Sequence, residues 1–343
     1  MDKTVLVTGG SGYIGSHVSL YLMQKGYKVI ILDRKPYPVG LRKFILDSQG
    51  TYIQADYGDN EILREIFEKY SIGIVVHCAG YIEVAESIKD PLAYYANNIA
   101  KSIQLLKSMV FHGISRIVFS SSCSVYGSPN IIPIPECHPT LPLSPYGMSK
   151  AVIERMLEDC ARAYGLSYVI LRYFNAAGAT PEYGLGELHE PESHLIPLIL
   201  KALEEQRAFT VFGNDYATPD GTCIRDYIHV WDIAQAHEKA ISYLDTCSEN
   251  NIFNLGSGKG YSVLEVIQAA ELVSKVQLHI KWSSRRDGDA PVLLADTQKA
   301  NDILRWQAQY SNLEIMITSA YCFMKTNSQI SALCRVNDAL KEL

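Results

Sequence analysis

The sequence predicts an α/β fold in which a doubly wound parallel sheet is joined to a smaller mixed α/β domain. Three observations predict it. Through the first half, short apolar runs alternate with amphipathic stretches long enough to be crossover helices. Runs such as Ile74-Val75-Val76 and Ile117-Val118-Phe119 would be apolar on both strand faces, as strands covered by helices on each side must be. A glycine-rich turn, Gly9-Gly10-Ser11-Gly12-Tyr13-Ile14-Gly15, divides the first strand-like run from the first helical one.

The apolar runs place strands over 4–8, 28–32, 51–55, 72–77, 114–120 and 167–172. Helical periodicity lies between them, over 15–25, 60–70, 91–111 and 145–164. After about Asn175 the pattern loosens, with Gly, Pro and Glu clustered through 178–192. Helices over 195–205, 231–244, 263–274 and 297–304 follow, with strands over 209–212 and 224–230. These patterns suggest a first domain over 1–175, a second over 176–325 and a peripheral tail over 326–343, with 224–245 returning to the first.

At 343 residues the chain suits one large or two modest domains. A formal charge of −6 gives no basic field for a nucleic-acid backbone. No apolar run reaches the ~18–20 residues that span a bilayer. Met1-Asp2-Lys3 runs directly into the first strand, leaving no room for a signal peptide. The eight cysteines form no Cys-x-x-Cys pair, which fits a reduced, cytoplasmic protein with ordinary buried thiols. No metal site is expected. His189 and His194 are five apart rather than four, and Pro191 between them would break the helix such a site requires.

The segment Gly10-x-Gly12-x-x-Gly15 follows a strand and opens a helix, the setting in which glycines admit a pyrophosphate to a helix N-terminus. Alone, such a turn can be purely geometric. Asp33 ends the second strand about twenty residues on, where a carboxylate binds ribose hydroxyls and repels a 2′-phosphate. Arg34 beside it is the residue type that accommodates that phosphate, so NAD is favoured over NADP without the alternative closing. Asp56 ends the third strand, positioned either for an adenine or as a cap for the helix from Asn60. The small residues of Cys78-Ala79-Gly80 would let backbone pass close to a cofactor, and Asn98 could bond into that loop.

Ser120-Ser121-Ser122 ends the fifth strand at the edge where open parallel sheets bind ligands. Tyr146 and Lys150 are four apart at the start of the next helix and share one face. Singly, that pair is an ordinary helix-start aromatic and a solvated charge. Together with the glycine turn, Asp33 and the serines, it suggests redox chemistry on an alcohol. Ser122 would hold the oxygen, Tyr146 would move its proton, and Lys150 would lower the tyrosine's pKa.

These segments resemble the extended short-chain dehydrogenase/reductases, through Thr8–Gly15, Ser120-Ser121-Ser122, Ser144-Pro145-Tyr146-Gly147-x-Ser149-Lys150 and Leu171-Arg172-Tyr173-Phe174-Asn175. Phe212-Gly213-Asn214-Asp215-Tyr216, Arg225-Asp226-Tyr227-Ile228-His229, Asn254-Leu255-Gly256 and Arg285-Arg286-x-Gly288-Asp289 narrow the resemblance to the UDP-glucose 4-epimerase family. It extends through about Met324. The resemblance implies a Rossmann-type NAD-binding domain, a UDP-sugar-binding domain, a homodimer, and epimerisation through a 4-keto sugar with NAD resident.

The same resemblance adds Gly9, Tyr13, Ile14, Tyr57, Tyr173 and Phe174 to the cofactor contacts. It puts Ser122, Ser124, Tyr146, Asn175, His194, Leu195, Val211, Phe212, Arg225, Arg286, Asp289 and Leu293 around the substrate. The two arginines are the expected diphosphate partners. Four positions depart from the usual pattern: Ile82 replaces a lysine, His194 an asparagine, and Arg34 the asparagine after the aspartate. Leu293, at the fourth, leaves acceptance of UDP-N-acetylhexosamines or UDP-pentoses open. A nucleotide-sugar 4,6-dehydratase would need an Asp-Glu pair where Cys123 and Ser124 stand. A non-catalytic NAD sensor would not need Ser122, Tyr146 and Lys150 together.

Overall fold

The computed structural model describes residues 4–47, 50–247, 249–286 and 289–339, with side chains to residue 327. Gly288, part of one family motif, lies outside the described residues, as do Met1 to Lys3. The first half runs β1 (Thr4–Thr8), α1 (Tyr13–Gln24), β2 (Lys28–Asp33), α2 (Arg42–Leu46), β3 (Gly50–Gln54), α3 (Asn60–Lys69) and β4 (Ile74–His77). It continues with α4 (Val84–Lys89), α5 (Pro91–Tyr94), α6 (Lys101–Phe111), β5 (Arg116–Ser122), α7 (Pro145–Tyr164) and β6 (Ser167–Tyr173).

The second half gives β7 (Asn175–Ala177), α8 (Leu195–Glu204), β8 (Phe209–Phe212), β9 (Ile224–His229), α9 (Val230–Thr246) and β10 (Asn251–Leu255). Then come β11 (Gly260–Ser262), α10 (Val263–Ser274), β12 (Ile280–Ser283), β13 (Val292–Leu293) and α11 (Leu313–Ala339). Seven strands form one sheet in the order β3-β2-β1-β4-β5-β6-β10, and every pairing in it is parallel. The order reverses between β1 and β4, the switch point at which a doubly wound sheet opens a crevice.

Both faces of this sheet are covered, as its apolar strands require. On one side Val18 and Leu22 of α1 meet Ile233, Ala236 and Ala240 of α9 over Val7, Val76 and Val118. On the other, Leu63 of α3, Leu105 of α6 and Leu157 of α7 pack on Leu6, Val75 and Phe119. A third cluster joins α8, α10 and α11 around Ile199, Ile267 and Ile317. Near it lie two small sheets, one in which β9 pairs β7, β11 and β13, the other β12 with β8.

Four details differ from the sequence reading. The helix expected over 91–111 is interrupted by a π-helical segment, Tyr95–Ala100, whose wide turn lets the consecutive Asn97 and Asn98 both point inward. The fifth strand extends to Ser122, because Ser120, Ser121 and Ser122 keep register with Leu171, Arg172 and Tyr173 although they are polar. Strand β10, unassigned by periodicity, supplies the seventh strand beside β6. Helix α11, unassigned before residue 326, runs on through the described part of the expected tail, 326–339. Thiols are free at all seven described cysteines, but Cys137 and Cys322 are exposed rather than buried. No described helix is long and apolar enough to cross a membrane.

Candidate active site

The glycine turn is held open by backbone, not by side chains. Gly9 has φ +71°, and a Cβ there would lie 2.7 Å from the Ala79 backbone, so only glycine lets the loops after β1 and β4 touch. A Cβ on Gly15 would sit 2.1 Å from the Gly9 carbonyl oxygen. Gly12 caps α1 without a side-chain bond, and no acidic residue occupies its first turn. The Ser11 hydroxyl is buried there with no partner. Uncapped helix donors and an orphaned hydroxyl in a cradle that a side chain would fill suit a pyrophosphate. Asp33 stands at the rim, its Oδ2 accepting the Ser11 N–H at 3.0 Å and its Oδ1 the Lys35 N–H at 2.9 Å.

Of the two readings of Asp56, the helix cap is the one the structure does not form. Asp59, not Asp56, caps α3 by accepting from the N–H groups of Glu61 and Ile62. Asp56 instead pairs with Lys101 at 2.5 Å and accepts the Gly58 N–H, which outweighs its burial and holds its carboxyl below the usual range. Arg34 is drawn towards Asp56 and lies over the Tyr81 ring, 5.5 Å from its centroid. Tyr57 is buried with its hydroxyl on the Asn97 carbonyl, so only its backbone can face a ligand. Asn98 fastens the loop after Gly80, accepting the Tyr81 N–H at 2.8 Å and donating to the Tyr81 carbonyl at 3.0 Å.

Ser122, Tyr146 and Lys150 come together at the carboxyl edge of the sheet. Ser144 caps α7 on the Gly147 N–H and Pro145 fills the first position. Gly147 lets the helix start press on the loop after β5, since a Cβ there would be 2.6 Å from the Ser124 carbonyl. Ser122 Oγ donates to Ser124 Oγ at 3.1 Å. Lys150 is buried, its ammonium donating to the Ser120 carbonyl at 2.8 Å and lying 6.0 Å from the Tyr146 ring centroid.

The expected lowering of the tyrosine's pKa by Lys150 is not what the chain's own residues produce. Burial pushes the Tyr146 phenol up to about 12, with a hydrogen bond from Ser122 pulling the other way. Burial likewise brings Lys150 down to about 8, against the nearby Cys78 and Glu154. Tyr173 and Phe174 close the inner wall, Phe174 buried and the Tyr173 phenol pushed up by burial and by Tyr146.

The substrate side is assembled by β9 and β13, which pair Arg225 with Leu293. Arg225 donates to the Ala290 carbonyl at 2.8 Å and meets Asp289 at 3.3 Å. It also lies near enough to Cys123 to pull that thiol down against the burial that raises it to about 12. Arg286 lies over Phe212, 4.1 Å from the ring centroid. Asn175 donates to the Asp226 carbonyl at 2.7 Å, and Leu293 packs with Val125 and Phe174. Val211 is core, so its side chain faces no ligand. His194 is engaged by Glu187 just before Leu195 opens α8.

Over residues 5–256 the chain matches the NAD dependent epimerase/dehydratase family. The chain belongs to that family. It is 46% identical to the UDP-glucose 4-epimerase of Halalkalibacterium halodurans, across 94% of this chain and 95% of the relative. The UDP-glucose-4-epimerase of Stenotrophomonas maltophila, solved with bound NAD and formylated UDP-arabinopyranose, superposes with a TM-score of 0.91 at 39% identity. That match covers 95% of this chain and 99% of the other. The Bifidobacterium longum UDP-glucose 4-epimerase, in complex with NAD+ and UDP, gives 0.88 at 38% identity over 95% and 99%.

Behind the catalytic edge of this epimerase/dehydratase family member lies a buried network that the sequence reading missed. Glu154 holds Arg172 by two bonds, Nε–Oε1 at 3.0 Å and Nη2–Oε2 at 2.6 Å, and accepts the Ser121 hydroxyl at 2.5 Å. Arg172 also donates to the Tyr126 hydroxyl at 3.0 Å, which donates in turn to Asn254 at 2.6 Å. The network ties α7 to β5, β6 and β10 and so fixes Tyr146 and Lys150 over the serines. A signal was present: Glu154 follows Lys150 by four on the same helical face.

Proposed function

We propose that the protein is an NAD-dependent 4-epimerase that interconverts UDP-glucose and UDP-galactose through a 4-keto sugar. The observation that carries the reading is the convergence of Ser122, Tyr146 and Lys150 at the sheet edge, beside a wall that holds Arg225, Asp289 and Leu293. Gly9, Gly12, Gly15 and Asp33 would hold the dinucleotide, with Tyr13, Ile14, the 78–80 loop and Asn98 around it. Bound NAD supplies a two-electron acceptor and donor for C4, with a cationic ring when oxidised, so the sugar is inverted without net oxidation.

Ser122 would fix the C4 oxygen, and Tyr146 would take its proton and return it after the ring has turned. The Tyr146 phenol is held high in the chain alone, so the ionised form needs added positive charge from the loaded site. Arg225 and Arg286 would grip the diphosphate and Asn175 and Asp289 its sugar end, leaving the hexose free to rotate. Cys123 and Ser124 cannot perform the acid/base work of a dehydratase. The seven-stranded sheet thus serves the cofactor, and the region of α8, α10 and α11 the nucleotide.

Incubation of the purified protein with UDP-galactose, with products separated by chromatography, tests this. UDP-glucose is expected, from protein that carries NAD without any being added. A 4-keto-6-deoxy product, or none, would overturn the assignment. UDP-N-acetylgalactosamine and UDP-xylose in parallel test the selection made by Leu293.

We also infer a homodimer, supported by the exposed apolar side chains of Leu92, Ile103, Phe111 and Met148 on α5, α6 and α7. The unpaired thiols support a cytoplasmic location.

A further inference from the structure

The segment between the 3₁₀ turn Pro181–Tyr183 and α8 folds four side chains onto one point. One donor atom each from Glu187, His189, Glu192 and His194 lies within 4.8 Å of the others. Three of these side chains are largely covered, with 6% of Glu187, 17% of His189 and 13% of Glu192 exposed. The spacing argument failed here because it assumed a helix. The segment is a loop, and Glu187, outside the His-x-x-x-x-His span, completes the set.

Two features distinguish the cluster from a plain ion-pair network. His189 Nδ1 is buried 3.1 Å from Glu187 Oε1, which it meets as an ion pair and not as a well-shaped hydrogen bond. His194 Nδ1 approaches the same Glu187 oxygen from another direction, the two imidazole planes lying at 66°. Both rings therefore aim a nitrogen at the space beside one carboxylate oxygen. Glu192 adds a second carboxylate, oriented by the N–H groups of Ser193 at 2.8 Å and His194 at 2.9 Å on its Oε1. Two poorly hydrated carboxylates at this separation need a positive charge beside them. The His194 ring, which contacts both, supplies it in the chain alone, and a divalent ion would meet both more fully.

We propose that Glu187, His189, Glu192 and His194 form a binding site for one divalent transition-metal ion, with Zn²⁺ the best fit. Two imidazole nitrogens with two carboxylate oxygens suit zinc, whereas Mg²⁺ and Ca²⁺ favour all-oxygen sets. Donors about 2.0–2.1 Å from a tetrahedral zinc lie roughly 3.3 Å apart, so each side chain moves by about 1 Å or less to close the site. Four protein donors leave no open position, which makes the site structural. It pins the loop that leads into α8, whose Ser193 hydroxyl is bonded to Glu83 of the segment before α4. The metal thus fixes the wall from which His194 and Leu195 are offered to the nucleotide, and the reaction itself does not pass through it.

The test uses full-length protein with its cofactor retained, treated with EDTA and freed of chelator. Zn²⁺ is then titrated in competition with a chromophoric chelator, and retained metal is measured by mass spectrometry after gel filtration. About one Zn²⁺ per chain is expected, with a rise in thermal midpoint that Mg²⁺ does not give. His189→Ala and Glu192→Gln should each weaken binding about tenfold or more, with circular dichroism and bound NAD reporting that the variants are folded. Co²⁺ should give the visible bands of a nitrogen/oxygen site without a thiolate charge-transfer band. The proposal is overturned if no zinc is retained, or if both variants bind like the parent, as metal held on the exposed Cys137 or Cys322 would. These readouts do not depend on turnover, so they stand or fall apart from the epimerase assignment.

Discussion

Tyr146 is covered by protein and its phenol is raised to about 12, so at neutral pH the chain alone keeps it protonated. Lys150 lies 6.0 Å from its ring centroid, and burial brings that ammonium down to about 8. An ammonium lowered in this way is charged below about 8 and neutral above it. Catalysis that depends on its charge should therefore fall as pH rises through about 8. In a pH profile of kcat/KM this is a descending limb, absent from Lys150→Met. A profile that is flat from pH 7 to 9.5 would remove the assignment. Tyr146→Phe should lower kcat roughly 10²–10⁴-fold while bound NAD is retained. Gly15→Ala should do the reverse of sparing the cofactor, because its Cβ would meet the Gly9 carbonyl at 2.1 Å. Nucleotide released on denaturation and measured by chromatography should be largely absent from that variant.

At the level of elements, the main sheet was legible because its strands are apolar on both faces and its helices carry their own stops. Asp59 and Ser144 cap α3 and α7, and Gly165 closes α7 in the left-handed conformation. The convergence of Ser122, Tyr146 and Lys150 was equally legible, since strand end and helix start fix these three by chain position alone. What periodicity could not show was whatever depends on distant partners. Strand β10 is short and half polar, Asn251-Ile252-Phe253-Asn254-Leu255, and is a strand only because β6 offers an edge. The π turn lets Asn97 donate to Asn98 and Asn98 to Ser149 in the interior. The gathering of Glu187, His189, Glu192 and His194 escaped the spacing argument because five residues do not make a helical pair, and loops obey no such period.

The Arg172–Glu154 pair is the element-scale feature most open to test. Both side chains are about 5% exposed or less, so removing one leaves a bare buried charge. Arg172→Met should cost about 3–5 kcal/mol in a urea titration, and Arg172→Met with Glu154→Met should recover part of that loss. A single-variant cost below about 1 kcal/mol would mean that water or another cation reaches Glu154.

Across the whole molecule, buried histidines knit the layers together while uncharged. His77 bonds Thr8 of β1 at 2.7 Å and Ser102 of α6 at 2.9 Å. His237 of α9 bonds Ser120 of β5 at 2.8 Å, and His229 accepts the Trp231 N–H at 3.0 Å to cap α9. His17 of α1 bonds the Tyr13 carbonyl at 2.7 Å. Burial lowers His77 and His229 to about 3, and His17 and His237 to about 4, from an ordinary 6.5. The unfolded chain therefore binds more protons once pH drops below 6.5, so stability is full above that value and is lost as pH falls towards 4. Asp226, raised to about 6 by burial, acts in the opposite sense, and so, by smaller shifts, do Asp232, Glu136 and Glu192, whose carboxyls burial also raises. The large shifts of the four imidazoles leave a net uptake of protons on unfolding between pH 6 and 5, so stability falls over that interval. The urea midpoint should fall steeply across that interval, and His237→Gln should make the fall shallower by about one proton's share. A midpoint that holds steady from pH 7 to 5 would show these imidazoles charging without cost, and the neutral links between the sheet and its helices would not be what holds the layers.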